Sequence, residues 1–397
     1  MAHPYLTADI PGCGGAFKES DADFVVREIP LYEPCGSGEH VYARIEKQGL
    51  TTLEAIRRLA QALKVPERDI GYAGMKDARG ITEQTLSIPG VDPELVAALA
   101  IPGLKVLAAI RHGNKLRLGH LAGNSFAITI RGIAGDCRQQ IGEILAILSA
   151  RGVPNYFGQQ RYGSLGNSAD IGLRLLGDDP AGAIVALFGN PDEIDDERWR
   201  SGSRAFHAGD LPGALELLPP HCRTEREVVR TLLRKPGNWA GAVKSIHPRL
   251  INLYLSAAQS ALFDRVVAAR IGSLDRVTAG DVAWKHDNGA CFLVTDELEA
   301  AERAAAFTIS ATGPMFGRKM LAPAGAQAEL EQAVLAAAGL ERNLFDQTGR
   351  TSLSGERRPL RVPVHNAGFE LAGDRLTLAF ALPKGSYATT LLREIMK

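Results

Sequence analysis

The segment Gly71–Gln84, with the sequence GYAGMKDARGITEQ, places one carboxylate, Asp77, between two cations, Lys76 and Arg79. The glycines of this segment allow another backbone or a ligand to approach closely. A neighbouring cation keeps a carboxylate ionised, as a nucleophile or a base requires. The pattern taken alone favours a simpler role, because an aspartate in this setting is often a turn residue or half of a surface ion pair. Asp77 is still a candidate catalytic group, because the glycines and cations around it suit that role.

A second segment, Gly113–Phe126, has the sequence GNKLRLGHLAGNSF and mixes basic residues with glycines, an amide and an aromatic ring. Cations suit contact with phosphate groups, and an aromatic ring suits stacking on an unpaired base. The alternative is an exposed basic hairpin with Phe126 in the core, which the pattern taken alone favours.

A third segment, Asn155–Gly163, has the sequence NYFGQQRYG and combines three aromatic residues with amides and one cation, Arg161. It contains groups that could contact RNA. By itself it could equally be a packed junction between domains.

Taken in order, the three segments resemble the TruD family of tRNA pseudouridine synthases. Members of that family show A-G-x-K-D followed by T-x-Q, then K-L-x-x-G-x-x-x-G-N-x-F, then N-Y-F-G-x-Q-R-F/Y-G. Further similarity lies in Asp23–Glu28, Gly38–His40, Tyr254–Phe263 and Leu382–Thr389, so the resemblance runs nearly from end to end. Small departures are Gly80, where alanine is usual, and Tyr162, where phenylalanine is commonest.

The resemblance implies a role for individual residues of this chain. Asp77 takes the place of the catalytic aspartate, Phe126 that of a ring that stacks on a flipped base, and Asn124 that of an asparagine that supports the Asp77 loop. Lys18 is expected to keep the carboxylate charged. The predicted substrate-binding residues are Lys18, Lys76, Glu83, Gln84, Arg111, Lys115, Arg117, Asn124, Phe126 and Arg161.

The implied reaction breaks the N1–C1′ bond of a uridine, turns the base and rejoins it through C5. The resemblance points to position 13 in the D-arm of tRNA, to a monomer, and to chemistry without a cofactor or metal. A non-catalytic RNA-binding or RNA-folding protein on the same scaffold is the alternative, against which the presence of Asp77 argues. A nucleotide-dependent transferase and a serine hydrolase lack support, since the G-x-x-x-x-G-K-[ST] and G-x-S-x-G patterns are absent from the sequence.

The elements around Asp77 are predicted from hydrophobic periodicity. Strand-like patterns cover Asp23–Ile29 and Val41–Ile45, and a helix is expected from Thr51, where Glu54 completes a capping box, to a point before Pro66. Asp77 then lies on a loop or strand edge that leads into a strand at Thr85–Ile88.

The remaining patterns predict two domains. Strands at 104–110 and 125–130 and a helix at 138–150 are followed by mainly helical patterns from Asn155, and a strand pattern returns at 375–382. We therefore expect an α/β (α+β) protein in which residues 1–154 and 361–397 form one mixed-sheet domain, of the pseudouridine synthase type by resemblance. Residues 155–360 would form an inserted, more helical domain.

Composition adds broad limits. The 397 residues include 45 basic and 45 acidic side chains, so a bound RNA would have to be held by a local basic surface. The five scattered cysteines contain no C-x-x-C pair of the kind that zinc and redox sites use. Since no run of 18 apolar residues and no signal-peptide pattern occurs in the sequence, we expect a cytoplasmic protein.

Overall fold

A computed structural model describes residues 3–133, 135–346 and 353–397 of the chain. Within these residues the chain forms two compact units. One comprises Tyr5–Val153 and Val362–Lys397 and is called the sheet unit. The other comprises Pro154–Arg361 together with His3 and Pro4, and is called the helical unit.

The strands of the described chain are β1 (Ala16–Phe17), β2 (Phe24–Pro30), β3 (His40–Gln48), β4 (Gly71–Tyr72), β5 (Ile81–Pro89), β6 (Leu104–His112), β7 (Leu121–Arg131), β8 (Val153–Pro154), β9 (Val282–Lys285), β10 (Cys291–Leu293), β11 (Ile309–Met315), β12 (Glu356–Pro359), β13 (Arg361–Val362), β14 (His365–Ala372) and β15 (Arg375–Pro383). The α-helices are α1 (Thr52–Leu63), α2 (Pro93–Ala97), α3 (Arg138–Arg151), α4 (Ser168–Leu176), α5 (Pro180–Phe188), α6 (Glu197–His207), α7 (Leu211–Leu217), α8 (Arg223–Arg234), α9 (Trp239–Ser245), α10 (Pro248–Ala269), α11 (Glu297–Ala305), α12 (Gly325–Ala336) and α13 (Ala388–Met396).

The sheet unit is built on one mixed sheet whose described strands follow the order β14-β15-β7-β2-β5-β3-β6. β1 pairs with the end of β7, and β4 pairs with β5. β2 and β5 run parallel, with Val25 opposite Ile81 and Arg27 opposite Glu83. The other pairings in this sheet that involve β7, β15, β3 and β6 are antiparallel. The mixed sheet therefore places the beginnings of β2 and β5 side by side.

Helix α1 forms where the sequence predicts a helix. The Thr51 hydroxyl accepts a hydrogen bond from the Glu54 amide at 3.1 Å, which caps the first turn. Of the two hydrogen bonds of the predicted capping box, the described contacts include only this one. The Glu54 carboxylate, which would make the other, binds Arg57 and Arg58 instead. The helix ends at Leu63, after which Lys64 adopts a left-handed φ of 56°. Its apolar face packs into a core beneath β3 and β5.

A second core lies where β2, β7 and β15 pack against α3 and α13. Its buried residues include Val26, Phe126, Ile128 and Phe380, and alternation along β7 sends every second side chain into it. Burying these rings and branched side chains supplies the free energy that holds the strands around the candidate site, at roughly 1.5–3 kcal/mol for each fully buried large side chain.

The helical unit differs from the sequence prediction in carrying its own sheet, of order β10-β9-β11-β12 in the described residues. β11 was missed because it is buried throughout, so its residues show no alternation of apolar and polar types. The mainly helical patterns expected from Asn155 onward correspond to α4 to α12, in which Pro180 starts α5 as a helix separate from α4. No helix in residues 3–133, 135–346 or 353–397 combines the length and apolar character needed to cross a lipid bilayer.

The close pairing of β7 with β15 depends on Gly123, which gives a first prediction. A Cβ at this position would lie 2.3 Å from the carbonyl oxygen of Leu382. Gly123→Ala should therefore lower the free energy of unfolding by about 2 kcal/mol, because the strands must move apart. Urea denaturation of both proteins measures this.

The matched control is Gly368→Ala on β14, where an added Cβ meets no atom of the described chain within 4 Å. It should change stability by less than about 0.5 kcal/mol. Equal effects of the two substitutions would contradict the steric explanation.

Candidate active site

Asp77 lies on the loop between β4 and β5, with its carboxylate accessible. Its side chain is 51% exposed, and the Lys18 Nζ donates to Asp77 Oδ2 at 3.2 Å. Lys18 has a φ of 65°, which is uncommon for a residue other than glycine, and its Nζ lies 4.0 Å from the centre of the Phe24 ring. Among its described contacts, the Asp77 carboxylate thus has one cation, Lys18, which is the residue that the resemblance implies; its role toward substrate stays a prediction.

The main chain on either side of Asp77 is bound from below by buried polar groups. The Thr52 hydroxyl accepts from the amide of Lys76 at 2.8 Å, and the Lys47 Nζ donates to the carbonyl of Asp77 at 2.8 Å. Sequence reasoning missed both residues. Alternation along β3 could have revealed Lys47. Val41, Ala43 and Ile45 face inward on this strand, and Lys47 is the next residue in the same alternation.

Lys76 points into the protein and binds Glu28 and Asn124. Its Nζ donates to Asn124 Oδ1 at 2.6 Å and lies 3.4 Å from Glu28 Oε2, with both charged side chains at least 94% buried. Burial raises the pKa of Glu28 and lowers the pKa of Lys76, and in each case the opposite charge of the partner opposes the effect. Lys76 is thus occupied by a buried pair, and Asn124 joins that pair to β7.

Glu83 and Gln84 lie next to each other on β5 and therefore face opposite sides of the sheet. Gln84 is buried, and its Oε1 accepts a 2.9 Å hydrogen bond from the Thr52 hydroxyl that also holds Lys76. Glu83 accepts from Arg27 at 2.8 Å and lies 3.3 Å from Arg44. The contacts of Gln84 therefore lead to the Asp77 loop, whereas those of Glu83 form an ion-pair cluster on the other face.

Phe126 lies in the core in this structure. Its residue is 7% exposed and its ring stacks on Phe380, with centroids 5.2 Å apart. This placement matches the structural alternative for Phe126. A role in stacking on a flipped base stays a prediction, and it requires the ring or its neighbours to move.

The predicted basic residues are distributed over several elements. Arg117 is exposed on the loop before β7, and this loop is held to the Asp77 segment because the Gly119 amide donates to the Ala73 carbonyl at 2.8 Å. Lys115 donates to the carbonyl of Arg68 at 2.8 Å. Lys384, which sequence reasoning did not single out, donates to the Gly119 carbonyl at 3.0 Å.

Two predicted residues have other settings. Arg111, on β6 at the end of the described sheet order, binds Asp92 at 2.8 Å. Arg161 belongs to the helical unit, where it contacts the hydroxyls of Ser256 and Ser260 and lies 5.4 Å from the Phe157 ring. The contacts described for these two residues do not include the Asp77 segment.

Comparisons with known proteins bear on what this site does. A family profile described as tRNA pseudouridine synthase D (TruD) matches residues 1–395. The chain belongs to the TruD family. A protein of Geotalea daltonii named tRNA pseudouridine synthase D is 58% identical over 395 residues, covering 100% of both chains. One of Geobacter metallireducens with the same name is 56% identical over 393 residues, covering 99% of this chain and 97% of its own.

A solved TruD structure from Methanosarcina mazei matches the fold with a TM-score of 0.85 and 27% identity, covering 99% of this chain and 95% of the other. The predicted family and the mixed α/β fold are therefore confirmed. As a TruD protein the chain is an enzyme of the tRNA pseudouridine synthase class, an isomerase.

The departure of this TruD chain at Gly80 has a steric reason in its own structure. Gly80 has a φ of 133°, and a Cβ there would lie 2.5 Å from the Phe24 carbonyl oxygen. The Gly80 amide donates to Asp21 at 3.0 Å, which anchors the end of the Asp77 loop. Glycine allows the loop to lie against the start of β2.

The buried Glu28–Lys76 pair generates a second prediction. Glu28→Gln should destabilise the protein by about 3 kcal/mol at pH 7, because it leaves the Lys76 ammonium buried without its counter-charge. Glu83→Gln is the matched control, since its partners Arg27 and Arg44 are more than half exposed, and it should cost under about 1 kcal/mol. Urea unfolding at pH 7 compares the two. A loss for Glu28→Gln no larger than that of the control would contradict the assignment of a buried pair.

Proposed function

We propose that this chain isomerises a uridine of tRNA to pseudouridine and that Asp77 is the reactive carboxylate. The observation that carries the proposal is the Asp77 side chain itself, half exposed and in contact with Lys18 on a loop whose main chain is bound from below. An accessible anionic oxygen on a fixed support is what nucleophilic or base catalysis requires. The names of relatives up to 58% identical support the choice of tRNA as substrate.

The reaction needs no second substrate, because uridine and pseudouridine contain the same atoms. Asp77 acts as nucleophile or base while the N1–C1′ bond breaks, and the freed uracil turns so that C5 faces C1′. A C5–C1′ bond then forms, as the bond from Asp77 to C1′ breaks in the nucleophilic route or as the C2′ proton taken by Asp77 returns in the glycal route. The proton on C5 is lost, and N1 gains a proton. Lys18 keeps the Asp77 carboxylate paired with a cation when RNA excludes water from the site.

The target nucleotide must leave the base stack before Asp77 can reach its sugar. We assign phosphate contacts to the loop that carries Lys115 and Arg117, because its hydrogen bond to Ala73 places it beside the Asp77 segment. We further propose the uridine at position 13 of the D-arm as the target, on the resemblance of the motifs, and a monomeric enzyme that acts in the cytoplasm, where tRNA is found.

We also propose that residues 1–154 and 361–397 form the catalytic domain and that 155–360 form an inserted domain. The division of the described chain after Val153 and after Arg361 lies within one residue of each of these limits and supports them, apart from the residues before Tyr5.

The role of Asp77 gives a third prediction. Asp77→Asn should abolish pseudouridine formation and leave the Kd for tRNA within about threefold, since the amide is nearly isosteric but cannot act as an anion. Tritium release from C5-labelled uridine in tRNA under single-turnover conditions measures the chemistry, beside a binding assay. Mapping pseudouridine in the same tRNA tests position 13.

Asp92→Asn is the control, because that carboxylate is exposed on a helix cap and binds only the side chain of Arg111 among its described contacts. It should retain parental activity. Turnover by Asp77→Asn at the parental rate would refute the assignment. A parental protein that binds tRNA without forming pseudouridine would be the non-catalytic RNA-binding protein considered above.

A fourth prediction concerns salt. Replacing Lys115 and Arg117 together by Ala should weaken tRNA binding and reduce the slope of log K against log salt by about 1.5, since each lost phosphate contact removes roughly 0.7–0.9 of slope. The control replaces Arg57 and Arg138, two exposed cations of the sheet unit, together by Ala. This control variant should leave the slope unchanged. If the first pair behaves like the control, the loop does not contact phosphate.

A further inference from the structure

A lysine ammonium is buried under the loop that carries Asp77. Lys47 is 1% exposed, and its Nζ donates to the carbonyls of Leu50 at 2.6 Å, Asp77 at 2.8 Å and Lys76 at 3.3 Å. An ammonium has three N–H donors, and these three carbonyls account for all of them. Lys47 therefore binds the main chain of the Asp77 loop and makes no described hydrogen bond to the carboxylate.

The position of Lys47 would otherwise suit an apolar residue. It faces inward on β3 in line with Val41, Ala43 and Ile45, which are all fully buried. Burial lowers the pKa of Lys47 to about 8, the negative charge of Asp77 opposes that change, and the positive charge of Lys76 adds to it. A buried cation costs free energy, so its presence here indicates a task that an apolar side chain cannot perform.

That task is visible in the hydrogen bonds of residues 76 and 77. Thr52 binds the amide of Lys76, while Lys47 binds the carbonyls of Lys76 and Asp77. Because Lys47 stands on a sheet strand and Thr52 on the first turn of α1, the short segment is fixed by two rigid elements. The side chain of Asp77 is half exposed.

We propose that Lys47 is a positioning residue for the isomerisation, which fixes the main chain of Lys76 and Asp77 so that the carboxylate is already oriented when RNA binds. Preorganised groups avoid the entropic cost of ordering during the reaction. This inference rests on the proposed role of Asp77.

The test replaces Lys47 by Met, which keeps the length of the apolar stem and removes the three donors. The single-turnover rate of tritium release from C5-labelled tRNA should fall about 100-fold, while the Kd for tRNA stays within about threefold because Lys47 does not reach the surface. Lys47→Arg keeps a cation and N–H donors, so its single-turnover rate should be at least about tenfold higher than that of Lys47→Met. Lys105→Met, an exposed lysine on the adjacent β6, should behave as the parent.

A pH profile keeps the proposal testable if Lys47→Met does not fold. Among the elements packed around Lys47, the charged groups that act on it are Asp77 and Lys76. Above about pH 8 Lys47 loses its proton, and with it one donor and the positive charge, so the parental single-turnover rate should fall there. Arginine stays protonated, so Lys47→Arg should lack this decline.

Three outcomes overturn the inference: a parental rate for Lys47→Met, a parallel loss of rate and tRNA affinity in that variant, or a parental rate that does not decline above pH 8. Asp77→Asn separates this inference from the function on which it rests. Activity in Asp77→Asn would refute the role of Asp77 whatever Lys47 does. An inactive Asp77→Asn beside a fully active Lys47→Met would refute only the positioning role.

Discussion

The parallel pairing of β2 with β5 is the constraint on which the candidate site depends. Parallel neighbours begin at the same edge of a sheet, so the segment before β2 and the segment before β5 must meet there. Lys18 belongs to the first segment and Asp77 to the second, and they form their contact across 59 residues of sequence. The crossover that parallel pairing requires consists of β3, α1 and β4, and the first two of these supply Lys47 and Thr52 to the underside of the Asp77 loop.

Charge in this region is balanced over a short distance. Two ammonium groups, those of Lys47 and Lys76, are buried, and burial lowers the pKa of both. Glu28 pairs with Lys76 inside the protein, and the negative charge of Asp77 acts on Lys47 from the loop above. Each buried charge therefore has an opposite charge nearby, as the cost of desolvation requires. The arrangement leaves Lys18 and the Asp77 carboxylate as the pair that a ligand can reach.

The sequence predicts elements here better than it predicts contacts. Periodicity and capping residues indicate α1, α3, β6 and β7 within a few residues, because these signals are local. Parallel pairing leaves no local signal, so the meeting of Lys18 with Asp77 followed only from resemblance. β11 was hidden for a different reason, because burial on both faces removes the alternation of apolar and polar residues.

Individual side chains show where that limit falls. Glu83 and Gln84 are adjacent in the sequence, yet strand geometry sends one into an ion-pair cluster and the other toward Thr52. Phe126 could be a stacking ring or a core residue on sequence alone, and only the packing against Phe380 shows where it lies. Lys47 resembles a surface lysine until the register of β3 shows that it faces inward.

The place of β15 between β14 and β7 has a consequence for biosynthesis. β7 ends at Arg131, whereas its partner β15 begins at Arg375, and Glu394 beyond it binds the amides of Leu6 and Thr7 near the start of the chain. At translation speeds of roughly 5–20 residues per second, the nascent chain waits on the order of 10–50 s before the missing strand leaves the ribosome. Throughout that interval one edge of β7 lacks its native partner while the helical unit is being made, and such an edge invites pairing with other chains. The sheet unit can thus complete its fold only once β15 and α13 have been synthesised, after the whole of the helical unit.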